Sequence, residues 1–130
     1  MAFKQEWITK ELDPDGINYL NAFAETDGKL ISITKLRRFY GELKRIEALG
    51  VNKELLAFRM LQPKLAYTVG REEIKTRGPI EKLAKEILFP SILKVGEPSL
   101  TDEVRNSRFK NFVSVFETIV AFHKYHGGAK

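Results

Sequence analysis

The stretch TDEVRNSRFKNFVSVFETIVAFHKYHGG, residues 101–128, decides the fold class. Val104, Phe109, Phe112, Val113, Phe116, Ile119, Val120 and His123 recur along it at helical spacing and make one apolar stripe. Ser99 or Thr101 starts the helix, and Gly127-Gly128 ends it. Asp102 and Glu103 fall in its first turn, where the helix dipole favours acids. Phenylalanines spaced this way beside Val113 and Val120 are bundle core rather than a platform for stacking bases.

Upstream segments read the same way. Asp13-Pro14 is an N-cap followed by Pro at the first helical position, then Ile17, Leu20, Phe23 and Ala24 recur and Asp27-Gly28 stops the run. Phe3 and Trp7 form one apolar face of a short leading turn. A second helix starts at Ser32 or Thr34, carries Leu36, Phe39, Tyr40, Leu43 and Ile46, and ends at Gly50. A third is capped by Asn52 and runs through Leu55 to Val69. Its apolar residues cover most of the circumference, which predicts a central position, and Pro63 should kink or split it. A fourth opens at Gly78-Pro79, is interrupted at Pro90 and closes at Gly96-Glu97-Pro98, leaving Lys75 to Gly78 as the expected mobile loop. No convincing strand occurs. The expectation is an all-α, compact single-domain bundle of about five helices over residues 1–130, with 1–12 a leading segment and 127–130 a flexible tail.

The chain has 130 residues, enough for one core. It contains no cysteine, which excludes disulfides, Cys-ligated zinc and thiol nucleophiles. Met1-Ala2-Phe3-Lys4-Gln5-Glu6-Trp7 has charges where a signal peptide needs an apolar run, and no stretch approaches the roughly 20 apolar residues of a membrane span. A cytoplasmic soluble protein with no membrane partner is expected. The net charge of +5 is unevenly placed: residues 32–77 hold 11 Lys/Arg against 5 Asp/Glu, whereas residues 1–31 hold 3 against 6. A local cationic excess points to a polyanion.

Two cation sets stand out. In the third helix Lys64 and Arg71 lie seven apart, close to two turns, with Tyr67 near the same edge. In the second, Arg37 and Lys44 form one row and Arg38 and Arg45 another, with Gly41 and Ala48 between them. Gly in a helix interior costs about 1 kcal/mol relative to Ala, so Gly41 suits a close approach by another backbone; a solvated outer face with a tolerated Gly is the plainer alternative. Catalytic signals are poor. Glu72-Glu73 diverge on a helix, Asp13 and Asp15 belong to a helix start, and no Gly-rich phosphate loop or Ser/His/Asp arrangement appears. His123 and His126 are three apart, but no third ligand is supplied nearby, so one packed and one exposed histidine is the simpler reading. No enzyme, cofactor or metal is expected.

The motifs Thr34-Lys35-Leu36-Arg37-Arg38-Phe39-Tyr40, Leu61-Gln62-Pro63-Lys64-Leu65-Ala66-Tyr67-Thr68-Val69-Gly70-Arg71 and Phe109-Lys110-Asn111-Phe112 with Phe116-Glu117 and Ala121-Phe122-His123-Lys124 occur in order. Together they resemble the small subunit of type III-A (Csm) CRISPR effector complexes over about residues 30–125. The family often has Gln where this chain has Lys35, and Tyr where it has Phe122; neither departure removes a cation. The resemblance implies a helical bundle without catalysis, acting in antiviral defence. Several copies would stack along guide RNA paired with target RNA, beside the larger backbone subunits. The implied partners are both RNAs, the other Csm subunits and further copies of this chain. The candidate nucleic-acid-binding set is Lys35, Arg37, Arg38, Lys44, Arg45, Lys64 and Arg71. Arg108, Lys110, Asn111 and Lys124 lie off the last stripe and are open to a partner. Two rivals are a dimeric helix-turn-helix DNA-binding protein built around Gly50, whose residues Asn52 to Leu56 are poor base readers, and a protein-interaction bundle whose basic face is solvated.

Overall fold

Helix α8, Asp102–Tyr125, is the axis of the molecule. In the computed structural model, which describes residues 2–130, every regular element is helical. Met1, the first residue of the expected leading segment, lies outside the described residues. Thr101 caps α8 by accepting the Val104 N–H at 3.2 Å. Phe109, Phe112, Val113, Val115, Phe116 and Ile119 are buried, as the stripe predicts, except that Val115 joins it and Val104 stays exposed. Around α8 pack α1 (Glu6–Thr9), α2 (Pro14–Thr26), α3 (Ile33–Leu49) and, later in the chain, α7 (Phe89–Val95).

The helix starts read from the sequence hold where a side chain caps. Asp13 accepts the Gly16 N–H at 2.8 Å ahead of Pro14, and Ser32 accepts the Thr34 N–H at 3.2 Å. Gly50 ends α3 at φ +97°, a value that a side chain would strain. Between α2 and α3, Gly28–Leu30 makes one 3-10 turn.

The third segment departs from expectation. It divides at Met60, before Pro63, into α4 (Leu55–Arg59) and α5 (Leu61–Arg71). Pro63 is therefore in the first turn of α5, where its missing N–H has no intrahelical partner to lose. Nor is the segment central: Leu56, Met60 and Tyr67 are exposed, and Phe58, Leu61, Leu65 and Val69 are its inward face. Asn52 does not cap it. Its side-chain amide donates to the Asp102 carbonyl at 3.0 Å, and its carbonyl accepts from Arg105 Nη1 at 3.1 Å.

The fourth segment is longer than Gly78-Pro79 suggested. Helix α6 runs Ile74–Leu83, so residues 75–78 are helical rather than a loop. Gly78 makes this possible: the ring of a proline clashes with the Cβ of the preceding residue in an α conformation, and Gly has none. Ala84–Leu88 then widens into a π-helical turn in which the Phe89 N–H donates to Ala84 O, and α7 follows. Pro90 supplies no N–H at this point, and an inserted residue in the turn before it is a recurrent way to seat a proline in a continuing helix.

The expected tail at 127–130 is tied down through residue 129. Gly128 N–H donates to His123 O at 2.8 Å, Ala129 N–H to Lys29 O at 2.8 Å, and Ala129 O accepts from Ile33 N–H at 2.9 Å. A Cβ on Gly128 would overlap the His123 imidazole. We expect Gly128→Ala to undock this segment and cost about 1–3 kcal/mol, as overpacked sites do; a thermal melt checks it.

Candidate nucleic-acid interface

Five of the seven candidate cations lie on α3, which turns one edge towards α5. Leu36, Leu43 and Ile46 anchor α3 in the core, with Phe39 half-buried against Phe116 at 4.9 Å between ring centroids. Because α3 and α5 are held apart, a cleft of about 120 Å³ remains between them. Lys35, Arg38 and Glu42 form its α3 rim, and Lys64 and Thr68 its α5 rim. At one end it meets a polar hollow of about 200 Å³ lined by Lys35, Arg38, Thr68, Arg71 and Glu72. The structure thus brings Lys35, Arg38, Lys64 and Arg71 to one place from two helices.

Their electrostatic states differ. Lys35 Nζ spans the cleft to Glu72 Oε2 at 2.5 Å. That hydrogen bond, then one from Thr76 at 2.7 Å, holds the Glu72 carboxyl below the usual carboxylate range. With the folded value lowered, the pair's stabilisation is present above the ordinary carboxylate pKa and is lost as pH falls through the lowered one. Arg38, Lys64 and Arg71 are exposed and form no ion pair among the described residues. The Arg71 guanidinium lies 5.6 Å from the centre of the Tyr67 ring, itself 66% exposed. An anion reaching this rim meets three uncompensated cations.

The remaining candidates face elsewhere. Lys44 pairs with Glu47 and lies 5.9 Å from the Tyr40 ring, whose hydroxyl donates to Glu117 Oε2 at 2.9 Å on α8. Hydrogen bonding to Glu47 raises the Lys44 pKa, and hydrogen bonding to Glu117 raises that of Tyr40. Arg37 shares the Lys44 row and is exposed. Arg45 is held by Glu54 at 3.1 Å and Glu42 at 3.6 Å. Gly41 and Ala48 are exposed, and nothing lies within 4 Å of a Cβ built on Gly41, so the outer face of α3 is open to close approach.

Other candidates are absorbed by the fold. Arg108 Nη1 donates to Lys94 O at 2.8 Å, and Asn111 Nδ2 to Ile8 O at 2.8 Å and Lys10 O at 2.5 Å. His123 Nε2 contacts Ile31 O at 2.8 Å and His126 Nε2 contacts Asn21 Oδ1 at 2.7 Å, so the two rings serve different partners. Helix α4, the recognition helix that a helix-turn-helix would require after Gly50, has five residues, and Asn52 ahead of it is spent on Asp102 and Arg105. Thr68, Glu42 and Glu72 were missed by the sequence reading, since no periodicity reports a pairing between separate helices.

No helix is long and apolar enough to cross a membrane among the described residues. No curated protein and no solved structure matches the chain. The family model described as Csm2 Type III-A matches residues 15–129, nearly all of the bundle, α3 and α5 included, and the chain therefore belongs to this family of structural small subunits of type III-A CRISPR complexes.

Proposed function

We propose that the chain is a non-catalytic, cytoplasmic RNA-binding subunit that stacks in several copies along the guide RNA–target RNA duplex by contacts that do not read sequence. The observation that carries this reading is the convergence of Lys35, Arg38, Lys64 and Arg71 on the cleft and the polar hollow beside it, with three of the four in no ion pair among the described residues. A subunit coating a duplex whose sequence changes with each guide must avoid base edges and use phosphates and 2′-hydroxyls. Lys and Arg on a helical rim suit that task, and the open outer face of α3 at Gly41 permits a backbone to come near. One copy offers few contacts, so avidity along the strand must supply the affinity.

Co-expression of the tagged chain with the other effector subunits and a guide RNA tests the reading. Wild type should enter the ribonucleoprotein, and the Lys64→Ala/Arg71→Ala and Arg37→Ala/Arg38→Ala forms should leave it while staying helical. A wild-type chain that never enters would sink the proposal. Glu72 supplies a second check. Glu72→Gln removes the charge that occupies Lys35, so duplex RNA should bind more tightly, with a salt slope steeper by up to about 1. Unchanged affinity and slope would show that Lys35 does not touch phosphate.

A further inference from the structure

The RNA reading calls on the rim of the α3–α5 cleft and leaves its interior unexplained. Leu36, Phe39, Leu61, Leu65, Leu83 and Phe116 line that interior, which is almost wholly apolar. This apolar cleft of about 120 Å³ is open along its rim, and the side chains facing the space forfeit dispersion contacts there, which is costly in a folded protein. Cavities near 150 Å³ lined by Leu, Ile and Phe stay dry and accept a benzene-sized guest. This one is sized for a single branched aliphatic or phenyl side chain.

A nucleobase is a poor guest. Its edge carries several donors and acceptors, and the one hydroxyl on these walls, Thr68 Oγ1, already donates to Lys64 O at 3.1 Å. Unpaired polar edges would be buried at a cost. The rim selects further: with Lys35 paired to Glu72, Arg38 and Lys64 stand there against Glu42, an excess of positive charge directly around an apolar hole. An apolar side chain flanked by carboxylates complements both features at once.

We propose that the α3–α5 cleft is a docking slot for an acidic segment of a partner protein, which inserts one aliphatic or phenyl side chain between Leu36 and Leu65 while its carboxylates meet Arg38 and Lys64. The slot goes beyond the RNA reading. It shares rim cations with that reading but not the apolar interior, so each can fail alone.

The test uses the full chain with labelled methyl groups, titrated by NMR with two capped peptides, Asp-Glu-Leu-Asp-Glu and Asp-Glu-Ala-Asp-Glu, in which only the central side chain changes. The Leu peptide should shift the methyls of Leu36, Leu61, Leu65 and Ile80 and bind about tenfold or more tighter than the Ala peptide. Leu65→Phe, which fills the slot, should abolish the difference while duplex RNA binding is retained; Leu61→Phe takes its place if that chain does not fold. Equal binding of both peptides, or no methyl shift at millimolar concentration, would overturn the slot and leave the RNA reading standing. So would the same methyl shifts on adding a mononucleotide, which would mean that a base enters the cleft.

Discussion

A chain carrying Arg38→Ala, Lys64→Ala and Arg71→Ala together is expected to bind duplex RNA on the order of a hundredfold more weakly at low salt, at about 1 kcal/mol for each exposed charged pairing. The plot of log K against log salt should flatten by about 3, one for each phosphate no longer neutralised. Both effects should be the same on duplexes of unrelated sequence, because a cation on a phosphate carries no base information. The melting temperature should barely move, since all three side chains are exposed and form no ion pair within the chain among the described residues. Lys44→Ala with Arg45→Ala is the matched comparison. These two cations are already engaged by Glu47, and by Glu54 and Glu42, so their removal should cost about twofold or less. Equal weakening in the two variants would mean that net charge, and not the cleft, governs binding.

That comparison also marks what the sequence could and could not carry. The face of a single helix follows from spacing, so α2, α3 and α8, their caps at Asp13, Ser32 and Thr101, and the cation rows were legible. Which row meets which depends on how α3 and α5 are set apart, and periodicity within each helix is silent about that. Lys35 stood in a matching motif, yet its partner Glu72 is 37 positions away and was read only as one of two diverging acids. Proline misled in a similar way. Pro79 reads as a helix start unless Gly78 is recognised as removing the Cβ clash, and Pro90 reads as a break unless a π turn makes room for it. Both readings used local chemistry correctly, but the core-facing Ile80, Leu83, Ile87 and Leu88 favour one continuous run.

Arg105 carries the second large effect, and nothing in its sequence context announces it. It is 5% exposed on α8 and has no carboxylate partner among the described residues. Its guanidinium donates through Nε to Val95 O at 3.2 Å, through Nη2 to Glu97 O at 2.6 Å and through Nη1 to Asn52 Oδ1 at 3.1 Å. Arg59 joins from the other side, donating to Gly96 O at 3.1 and 2.9 Å. The carbonyls that close α7 therefore find donors in arginines, which also complement the negative end of the helix dipole. Arg105→Ala would orphan the buried Val95 carbonyl and take a donor from the part-buried Glu97 carbonyl and Asn52 Oδ1. The expected cost is about 3 kcal/mol, or a fall in melting temperature of about 10 °C for a domain of this size. Arg105→Lys should recover little, because one ammonium cannot reproduce a planar three-way fork. A melting temperature within about 2 °C of wild type for Arg105→Ala would show that water replaces the missing donors. Arg105 lines neither the cleft nor the polar hollow, so the fraction of this variant that stays folded should keep wild-type affinity for duplex RNA. Basic residues in one chain thus divide by the acceptors they face: Arg105 holds carbonyls of its own backbone, while Arg38, Lys64 and Arg71 are exposed and form no ion pair among the described residues.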